Sequence, residues 1–275
     1  MTMGVGLNLK CVCGSIKLTL AFNYDAPPSG ETKFDLSDQS YKRAYYRCEN
    51  CGHFTGHHHL DLSALYSGDY VDATYGGLEG MNVRLKKILG LPPEKSDNTG
   101  RVERVKDFSS KRFTTGQRVS VLDVGAGIGV FPAAVEKLGW TVTAIEPDHR
   151  TVTHLKRNVN IRAFGEDLFD LSPKQLGYFD LVTFNKVLEH VESPVELLRK
   201  SSEFLSQQGA IYVELPDIAA ADDDKEREEF FIEHHHVFSP ASFAVLGDKS
   251  GLSLLQLSRL REPSGKYTLA GFFVK

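Results

Sequence analysis

Val121-Leu122-Asp123-Val124-Gly125-Ala126-Gly127-Ile128-Gly129 is the stretch that decides the fold of this chain. Val119, Val121, Leu122 and Val124 have the pattern of a buried strand, and the glycines after them predict a tight turn into a helix over 130–138. Such a turn lets a ligand lie against bare backbone at a helix N-terminus. The spacing selects the ligand. The dinucleotide fingerprint G-x-G-x-x-G/A requires a small residue at position 130, where this chain has Val130, so a nicotinamide cofactor is disfavoured.

The strand-like run from Trp140 reaches Glu146, seventeen residues after Gly129, and is followed by Pro147-Asp148. A carboxylate at a strand's C-terminal edge only accepts hydrogen bonds, and it can take both hydroxyls of a ribose, which makes Glu146 the candidate ribose ligand. Further on come Phe164-Gly-Glu166-Asp167-Leu and then Phe179-Asp180-Leu-Val-Thr-Phe-Asn185-Lys-Val-Leu-Glu-His190-Val. Residues 194–205 read as an amphipathic helix and Gly209 to Pro216 as another strand.

Asp123-x-Gly125-x-Gly127-x-Gly129 resembles motif I of the class I S-adenosylmethionine (SAM) methyltransferases, and residues 179–191 are similar to that family's fourth-strand signature, FDxVxxxxVLEHV. The matches run through about 120–216 in the family's order. The resemblance implies an α/β fold with a Rossmann-like seven-stranded methyltransferase sheet. It implies SAM as cofactor, bound by Asp123, Gly125, Gly127, Gly129, Glu146 and Asn185, with Glu166 or Asp167 near the adenine. Strands are expected at 119–124, 141–146, 160–163, 179–184, 209–214, 252–259 and 267–274, the last two forming an antiparallel closing hairpin.

The four cysteines all fall in the first 51 residues, as Cys11-Val-Cys13-Gly and Cys48-Glu-Asn-Cys51-Gly. Two close pairs of thiolates suit one tetrahedral Zn²⁺, and a glycine after each pair relieves the chain where amides turn toward sulfur. A closed set of four ligands makes the zinc structural. His53 is the substitute ligand if Cys11 or Cys13 stays outside the shell, and buried free thiols are the alternative to metal. The chain then divides into a zinc-binding module (1–75), a helical connector (76–117) and a SAM-dependent methyltransferase domain (118–275). Segment 92–100 reads as a break in the connector and 27–40 as a loop in the module.

At 275 residues and 41% hydrophobic content, the chain can bury one full core and carry a smaller module. It has neither a run of about 18 apolar residues nor a signal-peptide pattern, so a soluble, cytoplasmic protein with no membrane partner is expected. A formal charge of −4 gives no overall attraction to nucleic acid. Residues 81–118, with ten Lys/Arg against four Asp/Glu, form a local basic stretch that could meet a phosphate-bearing substrate or simply be a solvated helical linker.

Segment 217–239 holds Phe230-Phe-Ile-Glu233-His234-His-His-Val-Phe-Ser239 just past the C-terminal edge of the expected sheet, where ligands meet an open α/β fold. Together with the cysteine module and motif I, Glu233-His234 and Phe238-Ser239 resemble the sugar C-methyltransferases that act on nucleotide-linked deoxysugars, whose insertion reads YHEHxxYFS. Phe231, Ile232 and Val237 depart from that pattern, and Phe231 removes a phenol. Methyl transfer is an in-line displacement that needs alignment and removal of the acceptor's proton. His234, oriented by Glu233 or another carboxylate, is the candidate base, and His190 is the second candidate. Tyr70 and Tyr75 are within reach from the module, while His57-His58-His59 reads as a loop. The expected reaction is methyl transfer from SAM to a small-molecule acceptor, a sugar or nucleotide-linked sugar. A zinc-containing RNA methyltransferase and a catalytically inactive SAM-binding protein are the alternatives.

Overall fold

A computed structural model describes residues 9–31, 40–60, 77–114 and 116–275. Tyr70, Tyr75 and the expected boundary near residue 75 lie outside the described residues. The chain opens with an antiparallel meander, β1 (Leu18–Tyr24), β2 (Arg43–Cys48) and β3 (Phe54–His58). Among the described residues, the helices α1 (Gly77–Leu89) and α2 (Asp97–Arg112) come next. The break expected at 92–100 is short, because a 3-10 turn forms at Pro93–Lys95 and the Ser96 hydroxyl accepts the Thr99 N–H at 3.2 Å to start α2.

The alternating part then runs β4 (Ser120–Val124), α3 (Val130–Glu136), β5 (Thr141–Ile145), α4 (His149–His154), β6 (Arg162–Phe164), α5 (Pro173–Leu176), β7 (Phe179–Asn185), α6 (Pro194–Ser202) and β8 (Leu205–Pro216). After a two-residue strand, β9 (His236–Val237), come α7 (Pro240–Lys249), β10 (Ser253–Arg261) and β11 (Tyr267–Val274). One sheet has seven strands in the order β10-β11-β8-β7-β4-β5-β6, parallel from β8 to β6 and antiparallel at the closing hairpin, as expected. β6 is shorter than expected because Asn160, at φ +64°, ends the preceding helical turns in the left-handed region.

Helices cover both faces of this sheet, which is why its central strands read as nearly continuous apolar runs. Val121 and Leu181 point into a cluster with Met81, Leu85 and Val105 from α1 and α2. Their neighbours Leu122 and Val182 point the other way, toward Leu198, Phe204 and Phe243. All of these side chains are buried, and replacing Leu181 by Ala should cost about 2–5 kcal/mol.

The segment 217–239 joins the N-terminal sheet. Its β9 pairs antiparallel with β3, Phe54 opposite Val237 and Thr55 opposite His236, and completes a second sheet in the order β1-β2-β3-β9. Tyr24, Tyr45 and Phe54 pack with Phe230, Ile232 and Val237. Buried Arg43 stacks over the Tyr24 ring at 3.8 Å, pairs with Glu31 Oε2 at 2.9 Å and donates to the Phe230 carbonyl at 2.6 Å. Its charge and donors are thereby satisfied where they would otherwise be expensive to bury. The triple histidine is not a loop either, since His57 and His58 belong to β3.

Candidate active site

The turn after β4 depends on its three glycines for different reasons. Gly125, Gly127 and Gly129 lie at φ +70°, +51° and +80°, where side chains are disfavoured. A Cβ on Gly125 would stand 2.6 Å from Val187, and one on Gly129 would stand 2.6 Å from Leu155, so both glycines permit packing within the protein. A Cβ on Gly127 would meet nothing within 4 Å. Gly127 therefore leaves an open, bare stretch of backbone between the end of β4 and the start of α3.

Glu146 follows β5 beside this opening. Its Oε2 accepts the Gly127 N–H at 2.8 Å, and burial raises its pKa against the pull of that bond. Asp148 caps α4 by accepting the amides of Arg150 and Thr151. Asp123 is almost fully buried and accepts from Thr183 Oγ1 at 2.5 Å and Asn185 Nδ2 at 2.8 Å. Burial pushes its pKa up to about 7 despite those two donors. Asp123 thus ties the ends of β4 and β7 together, and it leaves Asn185 Oδ1 buried without a partner. Of the two acids after β6, Asp167 accepts the Phe169 N–H at 2.9 Å as a cap, and Glu166 is exposed.

These residues fit SAM. The open backbone at Gly127 suits a close-lying ligand, the Glu146 carboxylate is an acceptor for ribose hydroxyls, and the orphaned Asn185 Oδ1 is an acceptor for an ammonium group.

On the neighbouring strand end, the geometry joins residues far apart in sequence. The rings of His190 and His234 lie with centroids 4.7 Å apart. His234 Nδ1 is 2.9 Å from the Glu229 carbonyl, and His190 Nδ1 is 3.0 Å from the Glu233 carbonyl. A carbonyl only accepts, so each Nδ1 carries the hydrogen and each Nε2 keeps its lone pair. Burial holds the pKa of both rings down, strongly for His234. The Glu233 carboxylate does not orient His234 as expected. The Glu229 carbonyl does so, because the chain turns between residues 228 and 234 and brings that oxygen to the Nδ1 edge of the ring.

Glu189, with 1% exposure, completes this group, and one ligand atom each from Glu189, His190 and His234 lies within 4.8 Å of the others. Burial lifts the Glu189 pKa to about 7, and its Oε2 has no hydrogen-bond partner. Sequence reasoning passed over Glu189, although its position directly before His190 was the available signal. It also passed over Lys186, which sits at φ +63° beyond β7 and donates to Thr268 Oγ1 at 2.6 Å. A non-glycine residue in that region costs energy and marks a position held by its surroundings. Across the same strand ends, Arg101 and Arg104 of α2 pair with Glu214 of β8 at 2.6 and 2.8 Å. Burial alone would raise the Glu214 pKa, but the guanidinium charges, Arg101 first, bring it down to about 2.

The cysteine pairs meet at the turn between β2 and β3, where Cys11 and Cys13 approach Cys51 and Cys48. Gly14 at φ +89° and Gly52 at φ +74° turn the chain after each pair, and the Gly52 amide donates to the Cys48 carbonyl at 2.9 Å. Cys11 and Cys51 sulfurs are 3.5 Å apart, Cys13 and Cys48 sulfurs 3.6 Å, and all four lie within 4.8 Å of one another. Zinc–sulfur bonds of about 2.3 Å in a tetrahedron put sulfurs roughly 3.8 Å apart, so this set has the right size. The Cys11 S–H hydrogen bond favours a thiolate at Cys51, lowering its pKa to about 5. His53 is not part of the set. Its fully buried ring contacts Ser242 Oγ at 3.2 Å and His236 Nδ1 at 3.0 Å.

The methyltransferase domain profile matches residues 92–257, more than half of the chain. The ubiquinone biosynthesis O-methyltransferase of Xanthomonas campestris pv. campestris is 35% identical over 98 residues, covering 34% of this chain and 41% of the relative. Its counterpart in Xanthomonas oryzae pv. oryzae is 34% identical over 113 residues, covering 39% and 46%. The chain thus spans less than half the length of these curated relatives. Among solved structures, the 1,6-didemethyltoxoflavin-N1-methyltransferase of Burkholderia thailandensis, with S-adenosylhomocysteine bound, aligns with TM-score 0.55 and 16% identity over 90% of this chain and 98% of that one. The magnesium protoporphyrin IX methyltransferase of Synechocystis PCC 6803, also with S-adenosylhomocysteine bound, gives 0.57 and 15% over 76% and 98%. With the strand order, the glycine turn and the domain match in agreement, the chain belongs to the methyltransferase domain family, in its class I SAM-dependent form.

Proposed function

We propose that this protein transfers a methyl group from SAM to a small-molecule acceptor, and that the acceptor is a sugar or nucleotide-linked sugar. The observation that carries the reading is that two groups meet at the ends of the adjacent strands β4 and β7, where the Gly125 turn packs against Val187, three residues before His190. The bare Gly127 backbone with Glu146 and Asn185 receives the cofactor, and the Nε2 edges of His190 and His234 meet the acceptor. Asp123 positions Asn185, and Glu166 and Asp167 border the adenine. The acceptor's proton leaves at the histidine cluster, with His234 the residue on which transfer depends most. Glu233 supports it through the carbonyl that fixes His190. Cys11, Cys13, Cys48 and Cys51 hold a structural Zn²⁺ that fixes the module carrying β3, to which β9 is paired.

A second reading concerns the acceptor atom. The Xanthomonas relatives are named as O-methyltransferases of ubiquinone biosynthesis, which supports transfer to a hydroxyl oxygen of a small acceptor. Incubation with methyl-labelled SAM and two panels, nucleotide sugars and ring-hydroxylated aromatics, tests both. Label in a nucleotide sugar supports the first reading, and label only in an aromatic ether supports the second. Label in neither panel but in RNA would overturn both.

A further inference from the structure

We infer that Glu189, His190 and His234 form a binding site for one divalent transition-metal cation, separate from the four cysteines. This deepens the reading above, on which the cluster faces the acceptor. Among the described residues, this cluster and the cysteines are the two groups whose ligand atoms converge to within 4.8 Å. Two imidazoles and one carboxylate make up a donor set that binds zinc or iron(II) and leaves positions open for a substrate oxygen.

Three independent features of the site point to a cation. Both histidines are fixed in the tautomer a metal requires. His234 Nδ1–H donates to the Glu229 carbonyl at 2.9 Å and His190 Nδ1–H to the Glu233 carbonyl at 3.0 Å, the outer hydrogen bonds that orient ligating imidazoles. Each ring then offers Nε2. Second, Glu189 is 1% exposed, yet its Oε2 has no hydrogen-bond partner. A buried carboxylate oxygen without a donor is costly, and a bound cation satisfies it. Third, the ligands come from two chain segments locked together by backbone, since the His235 N–H donates to the Glu189 carbonyl at 2.7 Å. The site is therefore built before any ion arrives.

The charges around the cluster are Lys186, Lys266, Glu233 and Glu214, with Lys266 paired to Glu228 Oε2 at 3.0 Å. Lys186 is directed to Thr268 Oγ1, and Glu214 is committed to Arg101 and Arg104. Glu233 Oε2 is buried without a partner, which adds an unmatched acceptor on the same side. With the ion present, His234 Nε2 is a ligand rather than a free base. An acceptor hydroxyl in an open position would then be polarised by the cation: its O–H bond breaks with the proton passing to solvent, its oxygen takes the methyl from the SAM sulfonium, and S-adenosylhomocysteine leaves.

Cobalt(II) titration of the full-length protein, after exhaustive chelation, tests this. Cobalt at thiolates gives an intense sulfur-to-metal charge-transfer band, whereas cobalt at nitrogen and oxygen ligands does not. The wild type is expected to bind two equivalents, one with the thiolate band and one without. A His190→Ala/His234→Ala variant is expected to keep the thiolate equivalent and lose the other. Glu189→Gln, which preserves shape, should weaken the second equivalent at least tenfold. A single equivalent in the wild type, or a second equivalent unchanged in these variants, would overturn the site. If two equivalents bind as expected but no small acceptor is methylated, the acceptor reading fails and the metal site stands. If transfer runs at full rate in protein stripped of the second ion, the metal's part in transfer fails while the acceptor reading stands.

Discussion

The Glu146 carboxylate accepts the Gly127 amide at 2.8 Å, so the end of β5 holds open the turn that follows β4. One residue thus has two tasks. It shapes the loop through Oε2, and it keeps a carboxylate beside the open space at Gly127. The two glycines on either side of Gly127 are filled against Val187, Leu155 and Val159, whereas Gly127 itself faces open space.

This difference separates folding from binding. Gly125→Ala and Gly129→Ala should each lower stability by several kcal/mol, because a methyl clash within the core adds to the positive-φ penalty. Gly127→Ala should cost only about 1–2 kcal/mol of stability while weakening cofactor binding more than tenfold. Thermal melts and calorimetry on the three variants check this. Equal melting losses in all three would contradict it.

Metal and folding should be coupled in the cysteine module. One zinc per chain is expected by elemental analysis of protein purified without chelator, and Cys48→Ser should lower the melting of β1 to β3 together with β9. Zinc absent from the purified protein, or an unchanged melt in Cys48→Ser, would count against it.

His234→Ala should lower turnover by roughly 10²- to 10⁴-fold with cofactor affinity little changed, on whichever acceptor the labelling screen identifies. His190→Ala should act in the same direction. Near-normal turnover in His234→Ala would remove the histidine cluster from the chemistry.

Asp123 gives a pH test. Its pKa is raised by burial to about 7 in the folded chain, above the roughly 3.9 of an unfolded aspartate. The folded state therefore favours the protonated form. The associated stability is full below about pH 4 and is lost as pH rises through about 7. Glu214 has the opposite sign, lowered to about 2, and its contribution is lost only as pH falls toward that value. Asp123→Asn cannot ionise, so its melting temperature relative to wild type should rise between pH 5 and 8. A difference that stays constant across that range would show that Asp123 does not titrate there.

Much of the fold was legible because the parallel strands are buried on both faces and write themselves as apolar runs, with glycines at a turn that only glycine fits. Residues Val121 to Gly129, and the hairpin of β10 and β11, are of this kind. The pairing of β9 with β3 was not legible, because a two-residue strand leaves no period and its partner lies about 180 residues away in sequence. At the site, Glu146 could be placed from its distance to Gly129 along the chain. The orienting partners of His190 and His234 could not, since they are backbone carbonyls and carry no residue signature. Glu189 and Lys186 were missed for a related reason. Each reads as an ordinary surface charge until the fold buries it.

The central claim is that the cleft at Gly127 and Glu146 binds the cofactor, and calorimetric titration of S-adenosylhomocysteine into wild type and Glu146→Ala tests it most directly. The wild type should bind one equivalent, and Glu146→Ala should lose about 1.5–3 kcal/mol of binding free energy, the scale of charge-assisted hydrogen bonds to ribose hydroxyls. Gly127→Ala should weaken binding as well while leaving the protein folded. Unchanged affinity in Glu146→Ala, with a folded protein, would contradict the account.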